Sequence, residues 1–162
     1  KVWADGATQN DLIARFGYAF IQAPGSPYPS ILDLQSIGHQ PFDVGGPGGP
    51  ITFTPFIVDH GAIEALGFRI GPLAYIPDAV ALPQPAWDQI AQVPILVVDA
   101  LRRTPHPTHA HLAMTLDWIA RAQPARAILT NMHVDMDYDT LCGELPKGVE
   151  PAYDGMMLVH DD

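Results

Sequence analysis

A short, unbroken apolar run, ILVV at residues 95–98, limits the folds open to this chain. A run of this kind, without polar alternation, is typical of a strand buried on both faces of a sheet. Apolar residues then recur with helical spacing at Leu112, Leu116 and Ile119. A second strand pattern, RAILT, follows at residues 126–130. Strand, helix and strand in this order predict an α/β layered domain.

The rest of the chain continues this alternation. Residues 23–50 are rich in Pro and Gly, which favours an ordered loop or short irregular strands. Pro55 favours an edge position for the strand that contains it. The whole chain, residues 1–162, is expected to belong to a single domain. The further predicted elements are a helix at 7–20 capped by Thr8, a strand at 51–58, a hairpin of strands 66–70 and 73–76, short helices at 87–91 and 137–145, a cap at Thr108 for the helix through Leu112, and a last strand at 156–159.

The charge balance excludes one class of partner. Eighteen acidic residues against eight Lys and Arg give a formal charge of −10. Nucleic-acid binding calls for clustered basic residues that neutralise phosphates, so such a surface is not expected. The sequence shows no apolar run long enough for a membrane span and no secretory signal pattern. The single cysteine, Cys142, fits a reducing compartment, and we expect a cytoplasmic protein.

Polar side chains follow the predicted strands at four places. His60, Asp78 and His133 each come shortly after a strand pattern, and Asp99 leads from residues 95–98 toward His109. Imidazole nitrogen and carboxylate oxygen are ligands that zinc, manganese and iron accept. The spacing between these residues is long, so a metal site and ordinary turn residues both remain open at this point. His39 and His160 are expected at the surface.

Three segments carry a resemblance to a known family. They read HGAIEALGFRIGPLAYIPD at residues 60–78, VVDALRRTPHPTHAHL at 97–112 and LTNMHVDMDYDTLCGELPKGVEPAYDGMML at 129–158. In order and spacing they resemble the metallo-β-lactamase-fold hydrolases, in the cyclic-phosphodiesterase branch typified by PhnP. The resemblance implies an αββα sandwich with a two-metal site at one edge, holding zinc, manganese or iron.

The resemblance also implies the metal ligands. His60 would hold one metal, Asp78 would bridge both and take part in catalysis, and His133 would hold the second. Many relatives have a histidine where this chain has Asn131, so Asn131 and His133 both remain candidates for the last ligand position. The family signature HxHxDH does not occur in these 162 residues. We therefore expect the chain to be the C-terminal portion of the sandwich, with that motif upstream.

Residues near the expected metals receive further roles. His109 matches a family histidine that faces the substrate phosphate without holding metal, so it is the expected catalytic residue, which would donate a proton to the leaving oxygen or stabilise the phosphoryl charge. Arg102 could contact the phosphate or form a salt bridge. Metal-bound histidines need a hydrogen-bond acceptor for their second ring nitrogen, and Asp99 and Asp154 are the favoured candidates.

The expected activity is metal-dependent hydrolysis of a small, ribose-type cyclic phosphodiester by a hydroxide that bridges two metals. A tRNA-processing nuclease, a thioesterase and a lactonase are the alternatives within the fold, and the charge of −10 disfavours the nuclease. An inactive fragment or binding scaffold is the alternative outside enzymes. Without HxHxDH the chain alone should hold at most one metal and be inactive. An uncovered apolar sheet face would favour aggregation or a homodimer.

Overall fold

The computed structural model describes residues 1–159, so His160 lies outside the described part of the chain. Within that range the chain forms nine strands and four helices. They are β1 (Val2–Ala4), α1 (Gly6–Phe20), β2 (Leu34–Ser36), β3 (Phe42–Gly46), β4 (Gly49–His60), β5 (Ile63–Ile70), β6 (Leu73–Ile76), α2 (Gln84–Ile90), β7 (Ile95–Asp99), α3 (Leu112–Ala122), β8 (Arg126–Thr130), α4 (Tyr138–Glu144) and β9 (Val149–Pro151). No helix of this set is long and apolar enough to cross a membrane.

The chain divides into two compact units, the first of which is Lys1–Phe42. In this unit β1 and β2 pair in parallel, with Val2 opposite Leu34. The helix α1 begins after Asp5, whose Oδ1 accepts the backbone N–H of Thr8 at 2.7 Å. The prediction that Thr8 caps this helix is wrong, because Asp5 already supplies the acceptor to the first turn.

The second unit, which begins at Asp43, contains a seven-stranded mixed sheet. Its strands lie in chain order from β3 to β9. The pairs β4–β5 and β5–β6 are antiparallel, whereas β6, β7, β8 and β9 run parallel. The predicted hairpin is confirmed, with Ile70 opposite Leu73 and a turn at Gly71, whose φ is 53°. Since β4 is antiparallel to β5 and β5 to β6, the carboxyl ends of β4 and β6–β9 meet at one edge.

One face of this sheet carries the core. Alternate residues of the central strands, among them Ile76, Val98 and Leu129, are fully buried. They form one apolar cluster with residues from the helices of the same unit, including Ile90 of α2 and Leu141 of α4. Burying a side chain of this size stabilises the fold by roughly 1.5–3 kcal/mol. The core therefore fixes the strands whose ends carry the polar residues described below.

The expectation that Pro55 lies in an edge strand is wrong. The strand β4 is not at the edge but lies between β3 and β5. The five residues of β3 are joined to β4 by a turn at residues 47–48, so they reach only the first part of β4. Pro55 lies beyond that part, where its missing N–H leaves no partner on β3 unpaired.

Two further predictions about element ends are wrong. The helix α3 begins at Leu112, with His111 rather than Thr108 at the N-cap position. The last strand is β9, not residues 156–159, which form no strand and in which Met157 is 84% exposed. The strand β9 has only three residues and is defined by its pairing with β8, which a sequence pattern does not show.

Candidate active site

Four polar side chains come from the shared edge of the sheet. His60 is the last residue of β4 and Asp99 the last of β7. Asp78 follows β6, and Asn131 comes directly after β8. A fifth, His109, lies in the segment between β7 and α3, outside the helix in which the sequence placed it. This convergence is how α/β sheets commonly present their functional residues.

The buried carboxylate of Asp99 organises this cluster. Its side chain is fully buried, and its Oδ2 accepts hydrogen bonds from His109 Nδ1 at 2.9 Å and from the backbone N–H of Ala79 at 3.2 Å. The hydroxyl of Thr115 donates to the backbone carbonyl of Asp99 at 2.7 Å. Burial raises the pKa of Asp99, and the hydrogen bonds from His109 and Ala79 act in the opposite direction. Asp99 is thus held in one position by four partners when Asn131 is included.

Two histidines stand side by side in the cluster. The ring centroids of His60 and His109 are 4.6 Å apart with an interplanar angle of 76°. His60 Nδ1 donates to the carbonyl oxygen of Thr108 at 2.8 Å, and His109 Nδ1 donates to Asp99. These acceptors assign the ring proton of each histidine to Nδ1. Each Nε2 therefore keeps its lone pair for a proton or a ligand.

Asn131 links the two carboxylates of the cluster. Its Nδ2 lies 3.3 Å from Oδ1 of Asp78 and 3.2 Å from Oδ1 of Asp99. Its backbone is left-handed, with φ 58°, a conformation that Asn tolerates better than most residues. From the sequence, Asn131 was a candidate for the last ligand position, and its link between the two carboxylates was not predicted. The available signal was an asparagine immediately after a buried strand, where relatives have a histidine.

Three of the predicted site residues lie apart from this cluster. His133 is 59% exposed at its side chain, and its Nδ1 pairs with Asp135 at 3.1 Å. The guanidinium of Arg102 donates to two carbonyls of its own loop. Asp154 lies in an exposed turn after β9. Within residues 1–159, no recorded hydrogen bond, ion pair or ring contact joins these three to His60, Asp78 or His109.

The donor atoms fit a metal ion only in part. The Nε2 of His60 keeps its lone pair, and the half-exposed carboxylate of Asp78 lies 3.7 Å from Nδ1 of His109, so both residues lie beside the ring of His109. The side chain of Asn131 directs N–H groups, and not a lone pair, toward the carboxylate of Asp78. In the part of the chain that the structure describes, no group of three or more His, Cys, Asp and Glu residues is arranged to hold a metal ion.

A surface pocket of about 450 Å³ lies beside the hairpin of β4 and β5. Its wall is largely apolar, with Ile57, Ile63 and Leu82 among the lining residues. Asp59 and Gly61, the two neighbours of His60 in the chain, also line it, whereas Asp78, His109 and Asn131 do not. The polar cluster therefore lies next to a place that could accommodate an apolar part of a ligand.

Comparison with known proteins gives this cluster its context. Residues 1–132 match the model of the beta-lactamase superfamily domain, which is most of the chain. This chain belongs to the beta-lactamase superfamily. The resemblance inferred from residues 60–158 and the metallo-β-lactamase α/β fold class are thereby confirmed.

Solved structures of similar proteins agree with the fold. A diphosphatase from the PhnP family is 26% identical, with a TM-score of 0.85 over 98% of this chain and 58% of its own. The metallo-beta-lactamase fold protein YhfI from Bacillus subtilis is 16% identical, with a TM-score of 0.69 over 95% and 62%. Zn(2+)-bound PqqB from Methylobacterium extorquens is 19% identical, with a TM-score of 0.58 over 78% and 52%.

A curated relative aligns over nearly the whole chain but is much longer. It is an octanoyltransferase from Porphyromonas gingivalis (strain ATCC BAA-308 / W83), 24% identical over 166 residues. The alignment covers 99% of this chain and 32% of that protein. The chain therefore spans about a third of the length of this relative.

Proposed function

We propose that this chain is part of a hydrolase that cleaves a small phosphate ester, with a ribose-type cyclic phosphodiester as the first candidate substrate. The observation that carries the proposal is the His109–Asp99 pair, set next to Asp78 at the carboxyl edge of the sheet. The similarity to a diphosphatase of the PhnP family supports phosphorus chemistry at this edge.

His109 is suited to the proton transfer of such a reaction. Water attacks phosphorus and loses a proton to the solvent, the bond to the leaving oxygen breaks, and His109, protonated at both ring nitrogens, donates the Nε2 proton to that oxygen. The buried carboxylate of Asp99 orients the ring through Nδ1 and stabilises its charged form before the proton leaves. Proton transfer by a positioned side chain accelerates a reaction by roughly 10²–10⁴-fold.

The proposal includes a divalent cation, which could be zinc, manganese or iron. When bound, such an ion supplies Lewis-acid polarisation of the phosphoryl group and a nucleophile at neutral pH. His60, through Nε2, and Asp78, through its carboxylate, are the residues of this chain that would hold it. His60 is already oriented for this role because the Thr108 carbonyl fixes its Nδ1 proton.

Acyl hydrolysis is the second candidate. The curated relative named octanoyltransferase and the apolar wall of the pocket beside His60 favour a thioester or lactone over a nucleic acid. Nuclease activity is further disfavoured because Arg103 pairs with Glu144 at 2.8 Å and Arg102 is engaged by its own loop. A binding scaffold without turnover is the third candidate. As a partner of this chain, a second copy in a homodimer remains a proposal.

A substrate panel tests the proposal. The chain, and the longer protein if one contains it, is assayed with added Mn²⁺ or Zn²⁺ on a ribose cyclic phosphodiester, a diphosphate, an acyl thioester and a lactone. We expect turnover of a phosphate ester that falls by roughly 10²-fold or more in His109→Asn. His39→Asn is the matched control, since His39 is exposed in the first unit.

Three outcomes would overturn the proposal. Turnover of the thioester or lactone with none of the phosphate esters would assign acyl hydrolysis. Phosphate-ester turnover that is equal in His109→Asn and His39→Asn would remove His109 from the reaction. No turnover of any substrate by either protein form would favour the scaffold.

A further inference from the structure

We propose that the Asn131 carboxamide joins Asp78 to Asp99 as an uncharged clasp, so that the end of β8 supplies no metal-binding nitrogen to this site. The proposal concerns cation binding measured without turnover. It therefore stands or falls separately from the proposed hydrolase activity.

The hydrogen bonds of the amide account for its orientation. The Nδ2 group carries two hydrogens and lies 3.3 Å from Asp78 Oδ1 and 3.2 Å from Asp99 Oδ1. It also lies 3.3 Å from His109 Nδ1, but that nitrogen donates its own proton to Asp99 and cannot accept another. The two hydrogens of Asn131 are thus matched to two carboxylate oxygens.

The opposite orientation of the amide is disfavoured. Turning the group by half a rotation would place its carbonyl oxygen against two carboxylates that offer no hydrogen to donate. Asp99 is fully buried, so losing one of its donors there would leave its charge less well compensated. The N–H groups of Asn131 therefore occupy the space between the carboxylates, where a cation would otherwise find lone pairs.

The next histidine along the chain does not replace Asn131. The left-handed backbone at Asn131 is followed by a hydrogen bond from the N–H of His133 to the carbonyl of Leu101 at 2.7 Å. The ring of His133 is exposed and pairs with Asp135. Both the backbone and the side chain of His133 are therefore held on partners outside the cluster.

Cation affinity tests the clasp. Zn²⁺ and Mn²⁺ binding to the chain is measured by competition with a chromophoric chelator, for the unchanged chain, Asn131→His and His133→Ala. We expect Asn131→His to bind Zn²⁺ at least about tenfold more tightly, because imidazole replaces a donor group with a ligand, and neighbouring partners of a metal site change affinity by 10–100-fold. We expect His133→Ala to bind both ions with unchanged affinity.

Either of two results would overturn the proposal: equal Zn²⁺ affinity in Asn131→His and the unchanged chain, or a tenfold loss in His133→Ala. The side-chain amide signals of Asn131 in a ¹H–¹⁵N NMR spectrum of the metal-free chain give a second readout, which does not depend on how well Asn131→His folds. We expect these signals to shift in Asp78→Asn and to stay in place in His133→Ala. Signals unmoved by Asp78→Asn would show that the clasp does not form.

Discussion

The Nδ1 atom of His109 lies 2.9 Å from the Oδ2 atom of Asp99, a carboxylate with no solvent exposure at the end of β7. The carboxylate fixes which ring nitrogen of His109 carries the proton, and so which one is free to act on a substrate. Asp99 acts through His109 and is accordingly a positioning residue. Its replacement gives the first two predictions.

Asp99→Asn should lower kcat of the phosphate-ester reaction by roughly 10–100-fold, as for other partners that orient a functional histidine. An amide can offer His109 a hydrogen in place of an acceptor, so the ring proton can move to Nε2. KM should change little, because Asp99 is buried and does not contact substrate. Steady-state kinetics with the pH profile of kcat check this, and a variant that changes KM alone would contradict it.

The stability of the chain should depend on the titration of Asp99. Burial holds the pKa of this carboxyl above its ordinary value of 3.8 in the folded state, so the folded chain binds the proton more tightly than the unfolded chain. The resulting stability is present in full below that ordinary value and is lost as pH rises through the folded-state pKa. Urea unfolding across this pH range gives the free energy of unfolding of the metal-free chain and of Asp99→Asn. We expect the value for the unchanged chain minus the value for Asp99→Asn to fall as pH rises. A difference that is independent of pH would refute the assignment.

Gly61→Ala should disturb the site, although Gly61 is not one of the polar residues of the cluster. Gly61 has a φ of 79°, and an added Cβ would meet Thr108 Cγ2 at 2.8 Å and the Pro107 carbonyl at 3.1 Å. The segment would have to move, which would break the hydrogen bond that orients His60. We expect a loss of about 1–3 kcal/mol in unfolding free energy together with weaker cation binding. Gly45→Ala is the matched control, since nothing lies within 4 Å of its added Cβ, and equal effects of the two changes would contradict this account.

Gly67→Ala should destabilise the sheet without touching the site. Gly67 lies opposite Phe56 in the β4–β5 pair, and an added Cβ would overlap the Phe56 ring. We expect a loss of about 1–3 kcal/mol from this overpacking, measured by urea unfolding. In a double-mutant cycle with Phe56→Leu, the combined loss should be smaller than the sum of the single losses. Additive losses would show that the two residues do not compete for the same space.

Sequence patterns predicted the strands and turns that depend only on neighbouring residues in the chain. The ILVV run predicted β7, which has four buried residues, and the strand patterns at 66–70 and 73–76, separated only by Gly71 and Pro72, predicted the β5–β6 hairpin. Ends of elements that depend on distant partners were not predictable. The carbonyl of Thr108 is bound by His60, which is 48 positions away, and the helix begins only after that segment.

In the candidate site, too, some features were predictable from the sequence and others were not. Asp78, Asp99, His60 and His109 were predicted from their places after strands and from the resemblance, and the structure brings them together. Their chemical roles stay predictions. Whether Asn131 or His133 faces the cluster depends on the left-handed backbone at Asn131, directly after β8. The sequence does not reveal this backbone conformation.

The parallel strands that bring this cluster together also tie it to the folding of the whole sheet. Asn131 meets Asp78 across 53 positions of sequence, and each partner belongs to a different strand end. Asp78, Asp99 and Asn131 follow or end three different strands, so opening any one of β6, β7 or β8 would separate these three residues. Occupancy of the cluster by a ligand should therefore protect the amides of all three strands from hydrogen exchange as a group.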